Sequence, residues 1–376
     1  MRVLMTGGGT GGHVNPALAI AATIKQNDPE ADIAFVGTKH GIENKLVTAA
    51  GYPLYHVEIQ GLRRSFSVSN LKTLYLTVES VFKAKKLVRE FKPDIVIGTG
   101  GYVCYPVMKA ASSMGIPTAL HESNAVPGVA VRMLAPCVDR IYLNFEETAK
   151  CLTKFADKLL RVGNPLLSEF HPTDAKEAKR RLSLPAGTKN VLLTYGGSMG
   201  AEKVNDAVLE LMSEYTAHHP ETCHIHATGS IEYEAAGTKF REMGLDRLGN
   251  IDFREYIYNM PEVMAAADLI ICRAGAMTVS ELAMSGKAAI FIPSPNVTNN
   301  HQYKNAKVLA DAEAAELIEE CSLDSGALCG MVAKLLSPAG EEKRSEMGKR
   351  ISKFAVRDAN KLIYKDILKL IGTGEK

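Results

Sequence analysis

The sequence predicts an α/β protein of two domains, each built on a parallel sheet, and three observations carry that reading. At 376 residues the chain exceeds what one hydrophobic core usually supports. Short apolar runs alternate with helical patterns along most of its length, the order expected of parallel strands joined by helices. Each half also opens alike, with a strand running into a glycine loop and then a helix: Met5–Gly12 in the first and Thr194–Gly200 in the second.

Taken in order, the strands expected in the first half are Val3–Thr6, Ile33–Val36, Ile95–Gly98, Thr118–Leu120 and Arg140–Leu143. That half ends near Val162-Gly163-Asn164-Pro165, where Gly and Pro stop a strand and turn the chain. Residues 171–189 are polar and charged, as in a hinge followed by an opening helix. The second half repeats the pattern at Val191–Thr194, His224–Ala227, Ile251–Phe253, Leu269–Cys272 and Ala289–Ile292. At the far end, Lys361–Ile371 has apolar residues at helical spacing, with no sequence signal for what that helix packs against.

A net charge of +2 marks the chain as neither nucleic-acid-like nor acidic. Residues 1–163 carry 19 Lys and Arg against 13 Asp and Glu, and the remainder 25 against 29, so an anionic lipid or phosphate partner is expected on the first half. The seven cysteines are scattered without a Cys-x-x-Cys pair, which reads as reduced cytosolic thiols and not as a disulfide frame or zinc site. The N-terminus runs directly into a glycine loop and predicts no signal peptide. No apolar run approaches the roughly 18 residues of a spanning helix, so membrane contact is expected to be peripheral.

Gly7-Gly8-Gly9-Thr10-Gly11-Gly12-His13 lies between a strand and a helix, with Asn15 as the expected cap and Pro16 as the first helical residue. Such a loop lets backbone N–H groups approach a phosphate. It also contains Gly-x-Gly-x-x-Gly, but a dinucleotide site needs an acidic residue at the end of the second strand. Here that strand ends Phe35-Val36-Gly37-Thr38, which argues against NAD. The second loop, Tyr195-Gly196-Gly197-Ser198-Met199-Gly200-Ala201, is either a phosphate contact through Ser198 and its amides or a plain strand–helix turn. Arg273-Ala274-Gly275-Ala276-Met277-Thr278-Val279-Ser280-Glu281 leads from an apolar strand into a helix closed by Gly286. Its start offers N–H groups to a pyrophosphate. Thr278 and Glu281 share a face, where a carboxylate can accept from both hydroxyls of a ribose. His121–Gly128 and Asn299–Tyr303 are polar clusters after strands, each a ligand site or a capped loop.

Together these clusters resemble the undecaprenyldiphospho-muramoylpentapeptide β-N-acetylglucosaminyltransferases, inverting enzymes of glycosyltransferase family 28. The motifs are Gly-Gly-Thr-Gly-Gly-His at 8–13, Gly-Gly-Tyr at 100–102, His-Glu-x-Asn at 121–124, Gly-Asn-Pro at 163–165, Gly-Gly-Ser at 196–198 and Arg-x-Gly-Ala-x-Thr-x-x-Glu at 273–281. Six clusters in order over nearly the whole chain are a specific signal. The resemblance implies a GT-B fold, two Rossmann-like domains with parallel sheets facing an interdomain cleft. Residues 1–163 with 357–376 would form the acceptor and membrane-facing domain, and 164–356 the donor domain. Thr10, Gly11, Gly12 and Asn124 would border the donor UDP-GlcNAc. Ser198 would touch its phosphates, Ile257 the uracil, Ala276 to Glu281 the phosphate, ribose and sugar, and Gln302 the sugar hydroxyls. One position departs from the pattern: Leu167 stands where the family often has an arginine.

The chemistry so implied is transfer of GlcNAc to the MurNAc 4-hydroxyl of a lipid-linked pentapeptide acceptor in peptidoglycan synthesis, serving cell shape and division. It would take place at the cytoplasmic face of the membrane, with other cell-wall synthesis proteins as partners. His13 is the candidate base, or else it supplies a ligand-ordering hydrogen bond or a phosphate contact; Glu122 is the second candidate. Arg273 and the 275–281 helix start are candidates to stabilise UDP. No Asp-x-Asp motif occurs, so no metal or other cofactor is expected. Arg63, Arg64, Lys72, Phe82, Lys83 and Lys86 are expected at the acceptor or an anionic membrane surface. The apolar stripe Leu71, Leu74, Tyr75, Val78, Val81 and Phe82 fits a core-facing helix equally well. The alternatives are a UDP-sugar 2-epimerase, a lipid glucosyltransferase or a non-catalytic sugar-nucleotide-binding subunit.

Overall fold

Apolar residues on consecutive positions of a strand can all be buried only if both faces of the sheet are covered, and that is how the two sheets are built. The first comprises β1 (Arg2–Thr6), β2 (Asp32–Gly37), β3 (Leu54–His56), β4 (Ile95–Gly98), β5 (Thr118–Glu122), β6 (Arg140–Leu143) and β7 (Leu159–Arg161), in the order β3-β2-β1-β4-β5-β6-β7. The second comprises β8 (Asn190–Tyr195), β9 (Thr222–Ala227), β10 (Ile251–Arg254), β11 (Leu269–Cys272), β12 (Ala289–Phe291) and β13 (Glu316–Leu317), in the order β10-β9-β8-β11-β12-β13. Among the described residues every strand pair is parallel. The computed structural model describes residues 1–59, 69–167 and 174–372, and for residues 69–78 and residue 325 it describes the backbone alone.

The chain forms two compact units, Met1–Ser168 with Val356–Lys376, and Glu169–Ala355. In the first unit Val3 and Met5 point to one face with Ile33, Phe35, Ile95 and Ile97, packed by Val14, Ile20 and Ile24 of the helix Gly11–Asn27. Leu4 points to the other face with Val36, Val96 and Leu120, under the helices Ser69–Phe91 and Cys104–Ser113. In the second unit Leu192, Leu269, Ile271 and Ile290 pack against Val204, Val208 and Leu211 of the helix Glu202–Glu214. The last helix, Ala359–Leu370, belongs to the first unit. Its Ile363 and Ile367 enter the core beside Val14, and its buried Asp366 accepts from Arg140 Nε (2.9 Å) and Tyr142 Oη (3.0 Å).

The α/β expectation with parallel sheets holds, and the differences are local. Strands β3, β7 and β13 have three, three and two residues and lie partly exposed at sheet edges, so no apolar run announces them. Strand β5 continues past Leu120 through His121 and Glu122, because both side chains are buried and satisfied internally. The first helix begins at Gly11 with Thr10 as its cap, not at Asn15–Pro16; Pro16 lies inside it, where it lacks the N–H for the carbonyl four residues back. Strand order reverses between β1 and β4 and again between β8 and β11, the switch points at which loops of open α/β sheets diverge. No helix among the described residues is long and apolar enough to cross a membrane.

Three histidines are wholly enclosed. His121 Nε2 meets the Gly163 carbonyl at 3.1 Å, and His224 and His226 share the Thr194 hydroxyl at 2.9 and 2.8 Å. Burial pushes His121 and His226 down to about 4 and His224 well below its ordinary value of 6.5. All three are therefore neutral in the fold, while the unfolded chain takes up their protons near pH 6.5. Stability should be complete above about pH 6.5 and fall as the pH drops toward 4, by up to about 1.4 kcal/mol per pH unit for each histidine. Urea unfolding between pH 7.5 and 5 checks this; a midpoint unchanged over that range would contradict it.

Candidate active site

The loop after β1 is compressed between two other segments. A Cβ on Gly101 would fall 2.3 Å from the Gly8 carbonyl oxygen, so the loops after β1 and β4 meet backbone to backbone. The Gly8 N–H donates to the Gly100 carbonyl at 3.4 Å. Beneath lies Glu43, fully buried, at the start of the helix Glu43–Ala49. One of its carboxylate oxygens accepts from the Gly9 N–H (3.1 Å), the other from the Thr38 N–H and hydroxyl (2.8 Å each). The anion expected on the glycine loop is thus, at Gly9, the protein's own. It also answers the dinucleotide question: the carboxylate nearest the end of β2 turns inward under the loop.

His13 stands in the first turn of the helix Gly11–Asn27. Its Nδ1 is 3.0 Å from the Gly8 carbonyl oxygen and 3.2 Å from Thr10 Oγ1. A carbonyl only accepts, so Nδ1 carries the proton and the lone pair falls to Nε2. Thr99 Oγ1 donates to the His13 main-chain carbonyl at 2.7 Å. The ring lies against Gly100, where a Cβ would come within 2.5 Å of Cδ2.

Glu122 ends β5 as a loop staple. Its Oε1 accepts from the Asn124 N–H (2.9 Å) and Nδ2 (3.0 Å), and its Oε2 from the Gly128 N–H (2.7 Å). Burial raises its carboxyl above the ordinary value against the opposing pull of those hydrogen bonds. Thr148 Oγ1 holds the Asn124 carbonyl at 2.8 Å from below. The first unit thereby fixes His13, Thr10, Gly11 and Gly12 on one strand end and Asn124 on another.

In the second unit the helix Ala276–Ser285 starts at Gly275 and closes on Gly286 at φ 64°. Ala276, Met277 and Thr278 form its first turn, at the positive end of the helix; Val279 and Ser280 are buried behind them. Asn305 Nδ2 anchors the Ala274 carbonyl just ahead at 3.2 Å. Glu281, one turn on, is half-buried, and burial pushes its carboxyl up to about 7. It lies close enough to the buried Tyr195 hydroxyl and Cys272 thiol to raise both further, after burial. Ser198 is exposed in a loop tied to the next one, with its carbonyl accepting from the Ser230 N–H at 3.1 Å. Gln302 Oε1 accepts from the Ser294 N–H at 2.9 Å, which orients its amide.

Two expected donor contacts look different in three dimensions. Arg273 pairs with Glu320, both largely buried, and donates to the Ile292 carbonyl at 3.1 Å, so its charge is already offset. Ile257 is only 2% exposed, so the residue lies almost wholly within the fold. Leu167 is exposed, consistent with a position open to variation. Among the described residues no group of three His, Cys, Asp or Glu could hold a metal ion.

Of the residues expected at the acceptor or membrane, Arg63, Arg64 and the side chain of Lys72 lie outside the described residues. The helix Ser69–Phe91 buries Ser80, Ala84, Val88 and Phe91. Of the apolar stripe expected here, the side chains of Leu71, Leu74, Tyr75 and Val78 lie outside the described residues, and Val81 is half-buried. Phe82 faces away and is 67% exposed, four residues before the exposed Lys86. Lys83 pairs with Glu79 at 2.8 Å and Lys86 with Glu90 at 3.9 Å.

Sequence reasoning missed Glu43, Thr99 and Asn305, each of which holds the backbone of a candidate-site segment. The one signal was three glycines, at 8, 37 and 41, that crowd around a single carboxylate.

The N-terminal domain model of glycosyltransferase family 28 matches residues 3–143 and the C-terminal domain model residues 191–363. A Bacillus cytotoxicus UDP-N-acetylglucosamine–N-acetylmuramyl-(pentapeptide) pyrophosphoryl-undecaprenol N-acetylglucosamine transferase is 42% identical over 89% of this chain and 90% of its own. The crystal structure of Acinetobacter baumannii MurG superposes with a TM-score of 0.78 at 28% identity, covering 98% of this chain and 99% of that one. A UDP-GlcNAc 2-epimerase from Neisseria meningitidis, bound to UDP-GlcNAc, covers 98% and 100% with a TM-score of 0.65 at 13% identity, a likeness of fold alone. With matches spanning both sheets and a relative this similar over most of its length, the chain belongs to glycosyltransferase family 28 and has its GT-B fold.

Proposed function

We propose that the chain transfers N-acetylglucosamine from UDP-GlcNAc to the 4-hydroxyl of MurNAc in undecaprenyl-pyrophosphoryl-MurNAc-pentapeptide, with inversion. The observation that carries this reading is identity at 42% through both units to a relative named for that reaction. The 2-epimerase alternative has only the shared fold in its favour.

The roles follow from the two arrangements taken separately. On the second unit, Glu281 with Thr278 takes the ribose, and the N–H groups of Ala276, Met277 and Thr278 face the diphosphate at the positive end of their helix. Val279 and Ser280 back that turn. Ser198 adds a hydroxyl to the phosphates, Ile257 meets the uracil, and the oriented Gln302 amide meets sugar hydroxyls. Arg273 acts by bracing this site through Glu320 and not by direct contact with UDP. On the first unit, Thr10, Gly11, Gly12 and Asn124 border the donor, and Glu122 shapes the Asn124 loop. His13 Nε2 takes the proton of the acceptor hydroxyl as its oxygen bonds to the anomeric carbon. The bond from that carbon to the phosphate oxygen breaks, and UDP leaves with the electron pair, its charge met by the helix start. No metal is required in this scheme. Phe82, flanked by Lys83 and Lys86, together with Arg63, Arg64 and Lys72, brings the first unit to the lipid-linked acceptor at the anionic cytoplasmic face of the membrane.

Three outcomes test these assignments. His13→Ala should lower kcat by about 10²- to 10⁴-fold, the usual contribution of a general base, with donor affinity nearly unchanged. Labelled GlcNAc transfer to a lipid-linked MurNAc-pentapeptide measures the first and calorimetry the second; native-like turnover removes His13 as base. Glu281 binds ribose hydroxyls best as a carboxylate, so UDP affinity should be complete above about pH 7. It should weaken as the pH falls, by at most about tenfold per unit. Titrations from pH 5.5 to 8.5 should show this slope in the native protein and not in Glu281→Gln; a flat native profile refutes the assignment. Phe82→Glu should reduce sedimentation with anionic vesicles while sparing UDP binding, and unchanged sedimentation would exclude Phe82 from the membrane contact.

A further inference from the structure

Gly8 and Gly9 are joined by one peptide group, and the two sides of that group are held by different partners. Its N–H, from Gly9, donates to the Glu43 carboxylate at 3.1 Å. Its carbonyl, from Gly8, lies 3.0 Å from His13 Nδ1. A trans peptide is planar, with N–H and C=O directed oppositely, so fixing one end fixes the other. We infer that Glu43 is a positioning residue for His13, acting through the Gly8–Gly9 peptide as a carboxylate–peptide–imidazole relay. This rests on the reading of His13 as the base.

Several features support it. Glu43 is fully buried, and its carboxylate accepts from the Gly9 N–H and from the N–H and hydroxyl of Thr38. Burial opposes its ionisation, but the hydrogen bonds from Thr38 and Gly9 outweigh that and hold the carboxyl below its ordinary value. A full negative charge is therefore built in under the loop at neutral pH. The surroundings are cut to fit it: a Cβ would fall 2.7 Å from Oε1 at Gly8, 2.5 Å from Cγ at Gly37 and 2.1 Å from Oε2 at Gly41. A carboxylate on the N–H side polarises the peptide and strengthens its carbonyl as an acceptor. That carbonyl then keeps the proton on Nδ1 and supports the imidazolium formed when Nε2 takes the acceptor's proton. The logic is that of a carboxylate orienting a catalytic histidine, with one peptide group interposed.

The test is a double-mutant cycle on the full-length protein, using kcat and the KM for UDP-GlcNAc with a lipid-linked MurNAc-pentapeptide acceptor. Glu43→Gln should lower kcat by about 10- to 100-fold, the range seen when groups that orient metal-bound histidines are removed. The KM should stay within about twofold, because a positioning loss falls on the chemical step. In the His13→Ala background the same substitution should change kcat by less than about twofold, since residues acting as one unit are not additive. Equal fractional losses in both backgrounds, or native kcat in Glu43→Gln, overturn the relay while leaving His13 as base. Native kcat in His13→Ala overturns both. Should Glu43→Gln fail to fold, Thr38→Val removes only the hydroxyl that steadies Oε1. It should then give a smaller kcat loss that likewise disappears in the His13→Ala background.

Discussion

A parallel strand buried on both faces can expose polar chemistry only at its ends, and this constraint organises both units. Val3, Leu4 and Met5 leave β1 no solvent face, so the first functional group the strand can present is the loop that follows it. The same holds for β11, where Leu269 to Cys272 are enclosed and the helix from Ala276 follows at once. Residues far apart in sequence then share an edge because their strands share a sheet, as the loops after β1 and β4 do where Gly8 meets Gly101.

The two edges solve opposite electrostatic problems. The helix beginning at Ala276 has the positive end of its dipole at its start, with the carboxylate of Glu281 set one turn further in. The loop after β1 instead has part of its donor capacity occupied by an internal anion, Glu43. Similar glycine loops, read alike in sequence, therefore do different work. One opens a helix whose first turn faces outward from the strand end, and the other holds a side chain still.

What was legible in the sequence was whatever rests on local pattern. The inner strands are contiguous apolar runs, and the glycines mark the strand–helix turns. The family motifs named His13, Glu122, Asn124 and Glu281 directly. What escaped depends on tertiary contacts that leave no period or spacing. Glu43 and Asn305 have the composition of surface residues and become structural only because distant backbone reaches them. Arg273 reads as a free cation until Glu320 arrives from 47 residues away. The described buried positions of the helix Ser69–Phe91 include the small residues Ser80 and Ala84, which a search for large apolar side chains passes over. Edge strands of two or three residues are too short to carry an alternation at all.

The position of the last helix has a consequence for how the chain is made. Ile363 and Ile367 complete a core whose other walls are in place by Val162. A ribosome adding about 5–20 residues per second needs roughly 10–40 s to travel from the end of the first segment to that helix. During that interval the second unit is finished and can fold, while the first still lacks the two isoleucines that complete its core. The unit whose sequence comes first is thus the last to close, and quality control during synthesis would act chiefly on it.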